Sequence, residues 1–157
     1  MKKVIVFLVL IALVSCKSKK VSPTPVIEEV KTVQLALTAV DANQKGKAYD
    51  LGKRILMTCN TSKFKPFTTS EATQSVINNI TLEKLSKTCA KHRQWYGTFI
   101  DLKLVEVYQN SAEQNTVYRF KAMYTKKVAN KELRVIMNDE NQLTAIKTLD
   151  WNNAFTY

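Results

Sequence analysis

"LEKLSKTCAKHRQWYGTFIDLKLVEV", residues 82–107, contains the point at which the periodicity of the sequence changes. Up to Tyr96 the apolar positions recur every three or four residues, which is the period of an amphipathic helix. From Phe99 they alternate every second residue, which is the period of a strand with one buried face. Gly97, between the two patterns, is a residue suited to end a helix. The stretch therefore predicts a helix that leads directly into a long strand.

Three more strand patterns follow toward the carboxyl end. They are "TVYRFKAMYT" at 116–125, "ELRVIM" at 132–137 and "LTAIKTL" at 143–149. The loops between them are short and polar, which predicts an antiparallel meander of four strands. In the first strand the alternation slips near Leu104 and Val105, and such a slip predicts a β-bulge.

The part of the chain that precedes the first strand predicts helices. A first helix is expected over residues 30–40, ended by "NQKG", and a second over 47–59. Thr68 and Glu71 match a capping box and predict the start of a third helix, and Thr81 is suited to cap the fourth. Helices grouped before a meander predict an α+β fold in which the helices cover one face of the sheet.

This order of elements resembles the small secreted domains of the cystatin-like superfamily with a nuclear-transport-factor-2-like fold. The resemblance covers about residues 45–150 and rests on the helices, the Tyr96-Gly97 stop and the closing strand "LTAIKTLDW". It implies a curved four-stranded sheet wrapped against the helices, with a pocket between them. No motif specific for one activity is present, so the resemblance implies no catalytic residues.

The first sixteen residues, "MKKVIVFLVLIALVSC", have the composition of a secretory signal. Two lysines precede an apolar run from Val4 to Val14. As a helix this run would extend about 16 Å, roughly half of a bilayer core, so it is too short to span a membrane. A basic start before a short apolar core is typical of a signal peptide.

Leu13-Val14-Ser15-Cys16 resembles the lipobox of bacterial lipoproteins. The resemblance implies that residues 1–15 are removed and that the Cys16 thiol carries a diacylglycerol, which anchors the protein to the membrane of the cell envelope. The alternative is an uncleaved amino-terminal anchor with an incidental cysteine. Lys17 stands where an aspartate would favour the inner membrane, which implies the outer membrane in a Gram-negative cell.

Residues 16–29 predict an extended tether and residues 30–157 a single globular domain. The whole chain has a formal net charge of +11, and removal of Lys2 and Lys3 with the signal leaves +9. Such a charge favours anionic envelope components as neighbours, although solubility alone is an alternative explanation. No dense basic stripe is interleaved with aromatic residues, so no nucleic-acid partner is expected.

Two cysteines, Cys59 and Cys89, remain after Cys16 is assigned to the lipid. Both lie on the core-facing stripes of predicted helices. Outside the cytoplasm an even pair predicts a disulfide, with two buried free thiols as the alternative.

His92 is the single histidine of the chain. It has no potential catalytic or metal-binding partner close in sequence, so a position in the core or at the edge of a pocket is expected, and neither a zinc site nor a cofactor is predicted. A concave apolar face with a few polar groups is typical of a ligand pocket. The candidate pocket residues are His92, Tyr96, Tyr118, Phe120 and Tyr124.

Three functions remain open from the sequence. The first is a non-enzymatic lipoprotein whose domain binds a small ligand or a protein partner. The second is a structural or adaptor lipoprotein that forms a homodimer through its sheet. The third, a small lyase or isomerase, would need Asp101 as its acid or base, and the alternation around Leu102 places Asp101 on the solvent face.

Overall fold

The computed structural model describes residues 32–126 and 131–157. The predicted signal peptide, Cys16 and the whole of the predicted tether lie outside these residues. The elements, in chain order, are β1 (Thr32–Leu35), α1 (Ala42–Thr61), α2 (Gln74–Asn79), α3 (Leu82–Tyr96), β2 (Phe99–Asn110), β3 (Asn115–Tyr124), β4 (Lys131–Asn138) and β5 (Leu143–Asp150). Within the described residues, none of the helices combines the length and the apolar character needed to cross a bilayer.

The fold is α+β, with helices packed against an open antiparallel sheet in the order β1-β2-β3-β4-β5. The predicted meander is present as β2 to β5, but the expectation of a four-stranded sheet is wrong because β1 adds a fifth strand. β1 pairs with residues 107–110 of β2. The register of β2 shifts between Leu104 and Glu106, which confirms the predicted bulge.

The prediction of a helix over residues 30–40 is wrong for residues 32–40, the part of that segment that the structure describes. Thr32 to Leu35 form a strand, and Val33 and Leu37 are 46% and 42% exposed rather than buried on a helical stripe. The backbone of this segment pairs with the edge of β2, and that tertiary pairing outweighs the local helical spacing.

Helix α1 begins earlier than predicted because Asp41 caps it. The Asp41 Oδ1 atom accepts a hydrogen bond from the backbone of Gln44 at 2.7 Å, so "NQKG" lies inside the helix instead of ending one. The predicted buried stripe is present, and Ala48 and Leu51 are at most 1% exposed. At Gly52 an added Cβ would lie 2.8 Å from the Leu133 side chain, so glycine permits the close approach of α1 to β4.

The other helix boundaries follow local signals. The backbone of Thr68 donates to Glu71 Oε2 at 3.0 Å, as in the predicted capping box, yet the helix itself starts only at Gln74. Thr81 caps α3 through its side chain, as predicted. Gly97 ends α3 with a φ of 79°, a conformation that costs little only for glycine.

The carboxyl-terminal segment, residues 151–157, covers the face of the sheet opposite the helices. Arg119 and Glu132 on that face are fully buried and form an ion pair. Arg119 also pairs with Glu106 at 2.6 Å, and its guanidinium lies 4.2 Å from the centre of the Trp151 ring. The segment thus closes a charged layer that water would otherwise reach.

Candidate ligand-binding cleft

A cleft of about 470 Å³ opens beside the carboxyl-terminal half of α3. Five of its lining residues come from successive turns of α3, because positions three and four apart share one face of a helix. The sixth comes from the start of β4. The lining residues are Thr88, Lys91, His92, Trp95, Tyr96 and Lys131.

A second, more apolar crevice of about 190 Å³ adjoins this cleft. Thr88 and His92 line both cavities, so the two spaces meet at these side chains. The crevice lies where α1 and α3 meet β5. Its apolar lining consists of Ile55, Leu56, Ile80, Leu85 and Ile146, together with the two cysteines.

Cys59 and Cys89 form a disulfide that joins α1 to α3, with their Cα atoms 4.7 Å apart. The bond forms part of the wall of the crevice. It closes a loop with a sequence separation of 30 residues, so it restricts the unfolded chain and holds the two helices together at the cleft.

His92 stands at the junction of the two cavities and packs against tyrosine rings. Its ring centroid lies 5.2 Å from that of Tyr96 and 6.5 Å from that of Tyr124. Burial, followed by the positive charges of Lys131 and Lys91, lowers the pKa of His92 below its ordinary value of 6.5. The imidazole is therefore neutral at pH 7 and has one donor and one acceptor nitrogen.

Tyr124 lies behind these rings and is only 8% exposed. Among the described residues, its hydroxyl has no hydrogen-bond partner. Burial raises the pKa of Tyr124 to about 12, so the hydroxyl stays protonated. A buried hydroxyl without a partner is costly. Tyr124 lines neither cavity, so it supports the cleft from behind rather than facing a ligand.

The mouth of the cleft is positively charged. The Lys131 Nζ atom lies 4.8 Å from the centre of the Tyr96 ring and 2.5 Å from the Asp150 carboxylate. The Asp150 side chain is 89% exposed. Lys91 adds a second ammonium group, and no carboxylate belongs to the lining described for either cavity.

The structure brings together three of the five predicted pocket residues, namely His92, Tyr96 and Tyr124. The other two, Tyr118 and Phe120, are at most 1% exposed and belong to the core beneath α1. The Tyr118 hydroxyl donates to Gln44 Oε1 at 2.7 Å. Phe120 packs against the ring of Tyr49 at 6.4 Å. Tyr118, Phe120 and Tyr124 share one face of β3, but α1 fills the space above Tyr118 and Phe120.

Asp101 lies outside the cleft and is engaged with α1. It accepts hydrogen bonds from the Tyr49 hydroxyl at 2.7 Å and from Lys53 Nζ at 3.0 Å. The expected solvent-facing position is wrong in part, because an irregular register between Phe99 and Asp101 breaks the alternation and the side chain is only 40% exposed. The Tyr49 and Lys53 hydrogen bonds lower the pKa of Asp101, the opposite of the shift expected for a catalytic acid.

Four lining residues were not among the predicted pocket residues. Thr88 and Trp95 lie four and three residues from His92, so the helical period of the sequence could have predicted that they share its face of the helix. Lys91 lies three residues after Thr88 and four before Trp95, so the same period applies to it. Lys131 comes from a different strand, and only the pairing of β3 with β4 brings it to α3. Within the described residues no cluster of three or more metal-ligating side chains is found.

A scan of protein-family models matches none of them, and comparisons with curated proteins and with solved structures find no significant match.

Proposed function

We propose that this chain is a lipid-anchored protein of the bacterial cell envelope whose domain binds a small ligand without transforming it. The observation that supports binding is the paired cavity beside α3, with an apolar interior and a few polar groups at its mouth. Its larger part has a volume of about 470 Å³. Ligand sites generally have volumes of roughly 300–1,000 Å³ and this distribution of polar groups.

The lipid anchor is part of the proposal and rests on the lipobox resemblance at Cys16. Cys16→Ser should leave the precursor uncut and unlabelled when cells are grown with radiolabelled palmitate. Ser15→Ala is the matched control, because it keeps a small residue before the cysteine and should be labelled normally. Normal labelling of Cys16→Ser would refute the anchor and leave the ligand-binding proposal untouched.

Ligand binding is tested by native mass spectrometry of residues 17–157, exported to an oxidising periplasm behind a cleavable signal. We expect a retained small-molecule mass on the protein. The same spectrum reports the two hydrogens lost when Cys59 and Cys89 are joined. A bare mass from several growth conditions would contradict the proposal.

A second candidate function is that of an adaptor that dimerises through its sheet. The favouring observation is the edge of β2, because β1 pairs only with residues 107–110 and no described strand covers the part before them. Ile100 on that part is 54% exposed. Residues 151–157 cover the outer sheet face, so a dimer would use this edge rather than that face. A bare dimeric ion in the native spectrum would favour this function.

The cystatin-like, nuclear-transport-factor-2-like fold is also retained as a proposal. Its support is the order of elements, with helices first and a meander after them. An enzymatic function, which would combine Asp101 with Tyr118, Tyr124 or His92, has weaker support, because Tyr49 and Lys53 hold Asp101 outside the cleft.

A further inference from the structure

We infer that the cleft binds a medium-chain carboxylate, with its carboxylate at the mouth near Lys131 and its hydrocarbon chain in the apolar crevice. This inference rests on the proposed ligand-binding function and specifies the chemical class of the ligand. It follows from the size and lining of the crevice and from the charge of the mouth.

The apolar part sets the length of the chain. The crevice has a volume of about 190 Å³ and is walled mainly by aliphatic side chains and the disulfide. A methylene group occupies about as much space as a water molecule, roughly 30 Å³, so about six carbons fit. Burial of such a chain is favourable because it removes apolar surface from water.

The mouth selects the charge of the head group. Lys91 and Lys131 supply two ammonium groups, and among the described residues Asp150 pairs with Lys131 and offsets one of these charges. The remaining positive charge of Lys91 disfavours a cationic head. Asp150 shows that a carboxylate fits against Lys131, since its oxygen lies 2.5 Å from Nζ. The Asp150 side chain is 89% exposed but that of Lys131 is only 13% exposed, so a ligand carboxylate must displace Asp150 from a partly buried ion pair.

The experiment uses oxidised residues 17–157 and titrates them with sodium octanoate, 1-octanol, octylamine and inorganic phosphate. Binding is followed by amide chemical shifts in NMR spectra, which also report that each variant is folded. Octanoate is expected to bind at least about tenfold more tightly than the other three compounds. Since His92 is the single histidine, its ring signals give a second readout, and its pKa should rise when the anion is bound.

Three variants locate the two parts of the ligand. Lys131→Met should weaken octanoate binding about tenfold, because one charge-assisted hydrogen bond is lost. Asp150→Asn should tighten it, because the competing carboxylate is removed. Leu85→Trp should block the crevice and abolish binding. Lys103→Met, which removes an exposed lysine of β2 far from the cleft, is the matched control and should change nothing.

The outcomes separate this inference from the proposed function. Equal affinity for octanol would overturn the carboxylate part, and equal affinity for phosphate would overturn the hydrocarbon part. Either result leaves the proposed binding function standing. Failure of all four compounds to bind, while native mass spectrometry retains a different ligand, overturns the inference alone. Failure of both experiments overturns the proposed function as well.

Discussion

The two faces of the sheet are closed by different interactions. The face toward the helices is lined by apolar side chains such as Phe120, Leu133 and Val135, all at most 1% exposed. The opposite face carries Arg119 and Glu132, equally buried, under the short segment 151–157. Hydrophobic contact has no fixed direction, whereas buried charges need partners at defined positions.

This difference affects how each face is covered. On the helix side, α1 packs closely against β4 at Gly52, whereas α3 leaves the cleft beside it. On the outer side, Trp151 and the Asn152 carbonyl cover Arg119, and a hollow of about 350 Å³ lies away from this ion pair, beside Tyr157. The predictions below test this contrast, from the largest expected effect to the smallest.

Arg119→Met should cause the largest loss of stability. The substitution leaves Glu106 without an arginine and the buried Glu132 with Arg134 alone, and breaking a buried ion pair by removing one partner costs about 3–5 kcal/mol. Urea unfolding of residues 17–157 measures the loss, with Lys103→Met as the exposed control. A loss under about 1 kcal/mol would mean that water solvates this layer and that the contrast between the faces is false.

Removal of the disulfide tests the helix side. Cys59→Ala combined with Cys89→Ala should lower the free energy of unfolding by about 3–4 kcal/mol, because the unfolded chain regains the freedom of a loop with a 30-residue separation. Reduction of the unmodified domain with dithiothreitol should produce a loss of the same size. If the reduced and oxidised domains unfold at the same urea concentration, the bond does not stabilise the packing of α3 on α1.

Phe155→Ala tests the segment that covers the outer face. The Phe155 ring stacks on Tyr108 at 3.8 Å and lies 4.6 Å from the Arg134 guanidinium. Loss of both contacts should cost about 1–2 kcal/mol in urea unfolding. Ala154→Ser, at the exposed neighbouring position, is the control. Equal stability of the two variants would show that the ring does not hold the segment in place.

Glu71→Gln tests the rim of the helix side and should have the smallest effect. Arg54 holds Glu71 through two hydrogen bonds, of 2.6 and 3.0 Å, and this pairing lowers the pKa of Glu71 to about 2. A carboxyl group with a lower pKa in the folded state stabilises the fold when the pH is above 4.5, its pKa in the unfolded chain. That contribution is lost as the pH falls toward about 2, its pKa in the folded state. The variant should therefore be about 1–2 kcal/mol less stable at pH 7.

The pH dependence supplies the check on this prediction. The difference in stability between Glu71→Gln and the unmodified domain should shrink as the pH falls from 4.5 to 2, because the unfolded state takes up the proton first. It should vanish only at lower pH, where Glu71 is uncharged in both states. Glu83→Gln, in an exposed pair with Lys87, should leave stability almost unchanged at every pH. If the difference in stability between Glu71→Gln and the unmodified domain is undiminished at pH 2, the effect of the substitution comes from the shape of the side chain and not from its charge.

Local patterns were sufficient for most of the elements. The change of period at Gly97, the bulge after Leu104 and the Thr81 cap could all be predicted, because each depends on residues within one or two turns. The strand within residues 30–40 could not be predicted in this way, because it forms only by pairing with residues about 75 positions later in the chain. Likewise, periodicity indicated His92 and Tyr96 as pocket residues but also Tyr118 and Phe120, which α1 covers.

The sequence by itself determined the fold class, the boundaries set by caps and glycine, and the expectation of a lipid anchor at Cys16. These depend on backbone geometry and on motifs that are contiguous in the chain. Only the tertiary structure decided which apolar residues line a cavity, which lysine from β4 faces His92, and which charges are buried under residues 151–157. The physical reason is that cavities and buried ion pairs form between elements distant in sequence, so their energies appear only after those elements pack.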